Sequence, residues 1–230
     1  MTKKLVIAID GPSASGKGTI AKMLAHYFEL PYLNTGALYR AVAWQLIKRN
    51  IALENFEQYL SQLVINIDKT DLENYELFTE NVGAIASIIA KSHKFRSLLF
   101  DYQKNFVEKS KSNFNSSHNL SGCVLDGRDT TTVICPDADI KLFITADVEI
   151  RAKRRFEQQK SQSAKDQYSM NLQPFEEILT QLKLRDENDF NRSVAPLKVA
   201  SDAVVIDNGN LSIEDGFNKA LSIINSKISQ

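Results

Sequence analysis

Leu5-Val6-Ile7-Ala8-Ile9-Asp10-Gly11-Pro12-Ser13-Ala14-Ser15-Gly16-Lys17-Gly18-Thr19 starts as an apolar run and turns abruptly into glycine, hydroxyl and lysine. Leu5–Ile9 is long enough for one buried strand. Ile20-Ala21-Lys22-Met23-Leu24-Ala25-His26-Tyr27-Phe28 carries apolar residues at helical spacing. Strand, glycine loop and helix together form the context of a phosphate-binding P-loop. Glycines let the backbone fold tightly around an anion with several N–H groups turned inward. The helix start adds the positive end of its dipole. Lys17 can then reach the outer phosphates, and the Thr19 hydroxyl can serve Mg²⁺ through its water shell. The stretch implies a nucleoside triphosphate site.

Composition narrows the class. The chain has 230 residues, 43% hydrophobic and 24% charged, which is ordinary for one sizeable globular domain with insertions. Formal net charge is zero, which disfavours a field that would gather nucleic acid or an anionic membrane. No apolar run approaches the ~18 residues that a bilayer span requires. Met1-Thr2-Lys3-Lys4 leads straight into the first strand, which argues against a secretory leader. Two cysteines, Cys123 and Cys135, are too few for a disulfide framework, and His26, His93 and His118 are too scattered for a zinc site. The expectation is a cytoplasmic, monomeric enzyme. The nine arginines cluster more than the nineteen lysines, at Arg151, Arg154 and Arg155 and again at Arg185 and Arg192. Guanidinium forks match phosphate oxygens in pairs, so this distribution points to a site handling several phosphates.

Taken in order, Tyr32-Leu33 reads as a short strand, with Thr35 as the N-cap of a helix through about Lys48 that carries Tyr39 and Arg40. Residues 51 to 95 read as an inserted region. Ile51–Leu63 is expected to be helical, Val64-Ile65-Asn66-Ile67 a strand, Tyr75-Glu76-Leu77-Phe78 its hairpin partner, and Val82–Ala90 a helix. Arg96 opens a helix to about Val107, and Ser110–Asn119 reads as an exposed loop. Gly122-Cys123-Val124-Leu125 is a strand that delivers Asp126-Gly127-Arg128-Asp129 to the carboxyl edge of a sheet, where ligands sit in open α/β folds. Ile140–Thr145 is a further strand, and Asp147 caps the next helix. Gln158–Asn171 is polar and expected to be mobile. Pro174 starts a helix through Arg185 towards Asp189, making a hairpin suited to closing over phosphates. Ala203–Asp207 is the last strand and Ser212–Ile224 a closing helix. The alternation implies a parallel sheet sandwiched by helices. Taken alone, Arg40 and the arginines of the α-helical hairpin would suit solvated helix faces, and Asp126–Asp129 a polar turn with an internal Asp–Arg pair.

Together these segments resemble the bacterial cytidylate kinases. The resemblance rests on IDGPSASGKGT at Ile9–Thr19, TGALYR at Thr35–Arg40, LDGRD at Leu125–Asp129, RAKRR at Arg151–Arg155 and RDENDFNRSVAPL at Arg185–Leu197. The placing of Gly18 between Lys17 and Thr19 is itself typical of nucleoside monophosphate kinases. The resemblance implies a three-layer P-loop α/β sandwich with a central parallel sheet, a lid hairpin and an enlarged monophosphate-binding insertion. The core would comprise about 1–34, 96–150 and 186–230, the insertion about 35–95 and the lid about 151–185. It implies transfer of the γ-phosphoryl group of ATP, with Mg²⁺, to CMP or dCMP.

By position, Gly11, Pro12, Ser13, Ala14, Ser15, Gly16, Lys17, Gly18 and Thr19 would cradle ATP, and Arg151, Arg154 and Arg155 would close on it. Thr35, Arg40, Arg128 and Arg192 would surround the CMP phosphate, beside Tyr39. Ser87, Arg96 and Asp129 would read cytosine, and Arg185 with Asp189 would hold the ribose. Lys17, Arg128, Arg155 and Arg192 would act on the transferring group. Three positions depart from the pattern. Asn34 stands for the usual acid, Thr35 for serine, and Thr130-Thr131-Thr132 for an apolar–Gly–Thr run. If that glycine takes positive φ, Thr131 must adopt another backbone. Kinases of UMP, AMP or a non-nucleotide acceptor, and a regulator that binds nucleotide without turnover, are the alternatives.

Overall fold

The computed structural model describes residues 3–112, 118–163 and 173–228. Five parallel strands form one sheet in the order β2-β3-β1-β4-β5, with β1 Lys3–Asp10, β2 Tyr32–Asn34, β3 Leu120–Gly127, β4 Ile140–Thr145 and β5 Val204–Asp207. β1 lies at the centre, with β3 and β4 pairing its two edges and helices packed on both faces, so the strand reads as an unbroken apolar run.

Alternation along β1 splits the core into two layers. Val6 and Ala8 join a cluster with Leu38, Val42 and Leu46 of α2 (Thr35–Lys48) and with Phe95 and Leu99 of α5 (His93–Ser112). Leu5, Ile7 and Ile9 face the other way, onto Ile20 and Leu24 of α1 (Lys17–Tyr27) and Ala220 and Ile224 of α8 (Ile213–Ile228). The period of two along a strand sends successive side chains to opposite faces, so one apolar segment anchors both helical layers. A third, smaller cluster joins Ala152 of α6 (Val148–Ser163) to Ile178, Leu179 and Leu182 of α7 (Phe175–Asn191).

The expected hairpin in the inserted region is absent. Val64-Ile65 ends α3 (Phe56–Ile65), Asn66–Lys69 is a 3₁₀ turn, and Tyr75–Phe78 is another, leading into α4 (Glu80–Ile89). Leu60, Leu63 and Ile67 follow a spacing of three and four and are all fully buried, while Ile65 is 70% exposed. The alternation at Val64–Ile67 is thus the edge of a helical stripe. The Thr35 cap also moves by one residue. Asn34 is the N-cap, its side chain accepting from the Ala37 amide at 3.0 Å, and the Thr35 hydroxyl donates instead to the Asp126 carbonyl at 2.9 Å.

α5 runs through Ser112 and so takes the first residues expected to be loop. Gln158–Ser163 is likewise helical as the end of α6, and the remainder of that polar tip falls outside the described residues. The other expected elements stand within a few residues of their expected bounds, including Asp147, whose carboxylate accepts the Glu149 amide at 2.8 Å. No helix among the described residues is long and apolar enough to cross a membrane.

Candidate active site

A cavity of about 560 Å³ opens at the carboxyl edge of the sheet. One wall is the loop after β1. It is kept tight by left-handed backbone at Ala14 (φ 59°) and Gly16 (φ 89°). Gly11 closes against β4 so tightly that a Cβ there would lie 2.0 Å from the Ile144 carbonyl oxygen, so only glycine fits. α1 starts at Lys17 without a side-chain cap, which leaves its first-turn amides for an incoming anion. Lys17 Nζ donates to the Pro12 carbonyl at 3.1 Å, and Ser15 Oγ is buried with no partner. Behind the loop, Asn208 Nδ2 donates to the Ser15 carbonyl at 2.9 Å and Arg151 donates to the Ser13 carbonyl at 3.1 Å.

The second wall comes from the ends of β2 and β3. In-register pairing sets Asp10 beside Gly127 and Asn34 beside Asp126, which delivers Asp126-Gly127-Arg128-Asp129 directly opposite the P-loop. Gly127 is required where it stands, since a Cβ would lie 2.3 Å from Thr35 Oγ1. Buried Asp126 accepts the Tyr32 hydroxyl at 2.6 Å. Burial raises its carboxyl above the usual range, opposed chiefly by Lys17.

The third wall comes from the inserted region and the α6–α7 pair. Arg40, projecting from α2, donates to the carbonyls of Leu77 at 2.7 Å and Thr79 at 3.1 Å. Asp129 pairs with Arg96, which also lies over the Tyr39 ring at 5.6 Å. Arg128 Nε donates to Asp189 at 2.8 Å. Arg155 holds Glu80 and donates to the Phe78 carbonyl at 2.8 Å.

Positive charge dominates the lining: eight lysines and arginines face four carboxylates. The cations also crowd one another. Burial lowers the Lys17 pKa, and Arg128 lowers it further. Burial, with Arg185 and Arg155, brings Arg40 down to about 9. Arg185 is lowered by burial and by Arg128, and Arg192 by burial and by Arg96. Burial works against the Asp189 carboxylate, yet Arg128, Arg185 and Arg192 outweigh it and hold it below its usual range. Arg185 Nε and Arg192 Nη2 are buried without a partner. Buried donors without acceptors are costly, so their presence here calls for an anionic ligand with several oxygens.

A family model described as cytidylate kinase matches residues 7–226. The chain belongs to the cytidylate kinase family. A cytidylate kinase of Bradyrhizobium sp. (strain ORS 278) is 40% identical over 222 residues, covering 96% of this chain and 95% of the relative. One of Azorhizobium caulinodans is 41% identical over 220 residues, covering 96% and 98%. One of Acidiphilium cryptum is 38% identical over 237 residues and covers both chains fully.

Against the cytidylate kinase pattern, the cavity gathers Ser13–Thr19, Thr35, Tyr39, Arg40, Ser87, Arg96, Arg128, Asp129, Arg155, Arg185, Asp189 and Arg192. Four expected residues do not line it. Gly11 and Pro12 form the back of the loop. Arg151 is bound by the Ala146 and Ser13 carbonyls and by a two-point pair with Asp186. Arg154 is held by the carbonyls of Asn208, Gly209 and Leu211. Helical spacing groups the three arginines near one face, but an arginine long enough to reach buried carbonyls is drawn to them.

From the chain alone Asp126 falls at the mouth of the site without a role of its own, and Asp10, Glu80, Gly83 and Asn208 receive none. Asp126 carried a signal, being one residue from the end of an apolar strand. Gly83 carried none. Its missing Cβ, which would lie 2.7 Å from Arg40 Nη2, matters only once α4 packs on α2. Among the described residues no three His, Cys, Asp or Glu side chains cluster to hold a metal. Mg²⁺ needs only one or two protein oxygens when phosphates supply the rest. The exposed Thr19 hydroxyl and Asp126, whose Oδ2 is 3.6 Å from where a Gly18 Cβ would lie, meet that need.

Proposed function

We propose that this protein transfers the γ-phosphoryl group of ATP to CMP or dCMP, giving ADP and CDP or dCDP. The observation that carries it is the joining, in one cavity, of an open P-loop and the buried Arg96–Asp129 pair. The P-loop amides and Lys17 hold the triphosphate, and Thr19 and Asp126 are the residues that would hold a Mg²⁺ ion. Bound Mg²⁺ supplies neutralisation of charge on the phosphates. Arg40, Arg128 and Arg192 take the acceptor phosphate, next to Thr35. One of its oxygens, already anionic at neutral pH, bonds to the γ-phosphorus as the bond to the β–γ bridging oxygen breaks, so no general base is needed. Arg155 brings further positive charge to the oxygens that gain charge in transfer, and Arg185 joins Asp189 at the ribose.

Asp129 accepts the cytosine amino group where uracil would present a carbonyl oxygen, and Ser87 and Arg96 complete the base pocket. Asp189 takes a ribose hydroxyl. Arg151 and Arg154 serve this site indirectly, the first by fixing the Ser13 carbonyl and the second by fixing the loop after β5. Residues 35–95 act as the acceptor-binding region, and the α6–α7 pair as a lid that closes as a single copy of the chain works.

The test is ADP release from ATP and Mg²⁺ with CMP, dCMP, UMP and AMP offered separately. Turnover with CMP and dCMP well above UMP and AMP is expected. A preference for UMP or AMP would remove the assignment of the base pocket, and ATP binding without turnover on any of them would favour a regulator.

A further inference from the structure

Asp10 is fully buried at the last position of β1, immediately before Gly11. No cation pairs with it among the described ion pairs. Its charge is met instead by one short segment. Oδ1 accepts from the Thr130 amide at 2.9 Å and lies 2.8 Å from the Thr130 hydroxyl, whose one proton is shared with the Ile9 carbonyl at 3.1 Å. Oδ2 accepts from the Thr131 amide at 2.8 Å and the Thr131 hydroxyl at 2.6 Å. Donors aimed at both oxygens satisfy the hydrogen-bonding capacity of a carboxylate buried away from water. Thr130 and Thr131 are themselves fully buried and open a single π-helical turn, Thr130–Ile134. Neither has positive φ, so a threonine fits each backbone without strain.

The residue immediately before this turn is Asp129. Its carboxylate meets Arg96 of α5, and the Asp10 charge is close enough to push its pKa upward after burial and against the pull of Arg96. One carboxylate at the root of the P-loop therefore grips the segment that carries the base-reading carboxylate. Single π-helical turns are frequent at functional sites, and here Asp129 directly precedes the first residue of the turn, so a hold on Thr130 and Thr131 is also a hold on Asp129.

We propose that Asp10 is a positioning residue for nucleobase selection, acting through the hydroxyls of Thr130 and Thr131 to fix where the Asp129 carboxylate sits relative to the P-loop. The role rests on the proposed function above. Losing one hydroxyl leaves the amide bond in place but half of one carboxylate oxygen's support gone, so the segment keeps its fold and loses its register with β1. The consequence falls on the acceptor base and not on ATP.

The test uses Thr131→Val, which keeps the shape and removes the donor, with Thr131→Ser as the conservative restoration and Thr130→Val as an independent second variant. Each is compared with wild type for CMP affinity by calorimetry, for KM of CMP and of ATP, and for the ratio of kcat/KM with CMP to that with UMP. Thr131→Val is expected to raise the CMP Kd and KM about tenfold and to narrow the CMP/UMP ratio. Its ATP KM should stay within about twofold, and Thr131→Ser should return near wild-type values. Unchanged CMP affinity and CMP/UMP ratio in both valine variants, with only the melting temperature lowered, would reduce the cluster to a structural one and overturn the proposal. Equal losses for CMP and ATP would also overturn it, by making the P-loop itself the thing supported. A wild type with no calorimetric CMP affinity would overturn the proposed function itself and this role with it, which separates the two failures.

Discussion

Asp129→Asn is the substitution that bears most directly on base selection. Asp129 and Arg96 are 6% and 9% exposed, so neither side chain can turn to water when its partner is altered. The asparagine keeps the volume and leaves a carbonyl oxygen for Arg96, but it removes the negative charge. Arg96 then has the Tyr39 ring at 5.6 Å and a long contact of 3.4 Å to the Ala90 carbonyl as its other neighbours. Its amide nitrogen is a donor, which suits the uracil carbonyl and opposes the cytosine amino group.

Losing one partner of a buried polar contact costs about 1–3 kcal/mol, which corresponds to about 5- to 150-fold in kcat/KM. Turnover with CMP is expected to fall within that range, while turnover with UMP falls less or rises, so the CMP/UMP ratio drops. A spectrophotometric assay of ADP formed, with each acceptor varied at saturating ATP, reads both constants, and thermal denaturation reports whether the fold has held. An unchanged CMP/UMP ratio in a variant that melts like wild type would refute the assignment of Asp129 to the base.

Gly83→Ala should raise the KM for CMP several-fold without altering that for ATP, because the new methyl group would lie 2.7 Å from Arg40 Nη2 while two carbonyls hold that guanidinium in place; steady-state kinetics with each substrate varied would reveal it. Arg151→Ala should act first on stability. It strands Asp186 and the Ser13 and Ala146 carbonyls, a loss of about 3–5 kcal/mol for a buried pair, visible as a lower denaturation midpoint even without nucleotide. ATP binding should take up protons at alkaline pH. The empty site lowers the Lys17 pKa through burial and Arg128, and added phosphate oxygens restore it, so the complex holds a proton that the free protein has released. Calorimetry in buffers of differing ionisation enthalpy measures that uptake, and a buffer-independent enthalpy at pH 9 would contradict it.

Much of the fold is legible along the chain because its cues are local. The apolar run before Gly11, the glycines and lysine after it, and the helical stripe from Ile20 each need only neighbouring residues to be read, and the same holds for β3 to β5 and their helices. The region after Asn50 is harder. At the end of α3, a stripe with period 3.6 and an alternation with period 2 share residues 64–67, and only the packing of Leu60, Leu63 and Ile67 beneath α2 distinguishes them. The resemblance placed most of the cavity's side chains, but it assigned Arg151 and Arg154 to nucleotide where the structure binds them to carbonyls of the loops after β1, β4 and β5.

The sequence by itself determined the P-loop, the central parallel sheet and the clustering of arginines that suits a site for several phosphates. These follow from covalent neighbours: backbone freedom at glycine, side-chain period, and formal charge. Tertiary structure decided which charges meet. Asp10 and Thr131 lie 121 positions apart in the chain and 2.6 Å apart in space, and Arg128 and Asp189 are 61 apart and 2.8 Å from one another. The first contact exists because parallel pairing aligns the carboxyl ends of β1 and β3, and the second because α7 brings Asp189 to the same cavity; the low exposure there leaves these side chains mainly their packed neighbours as partners.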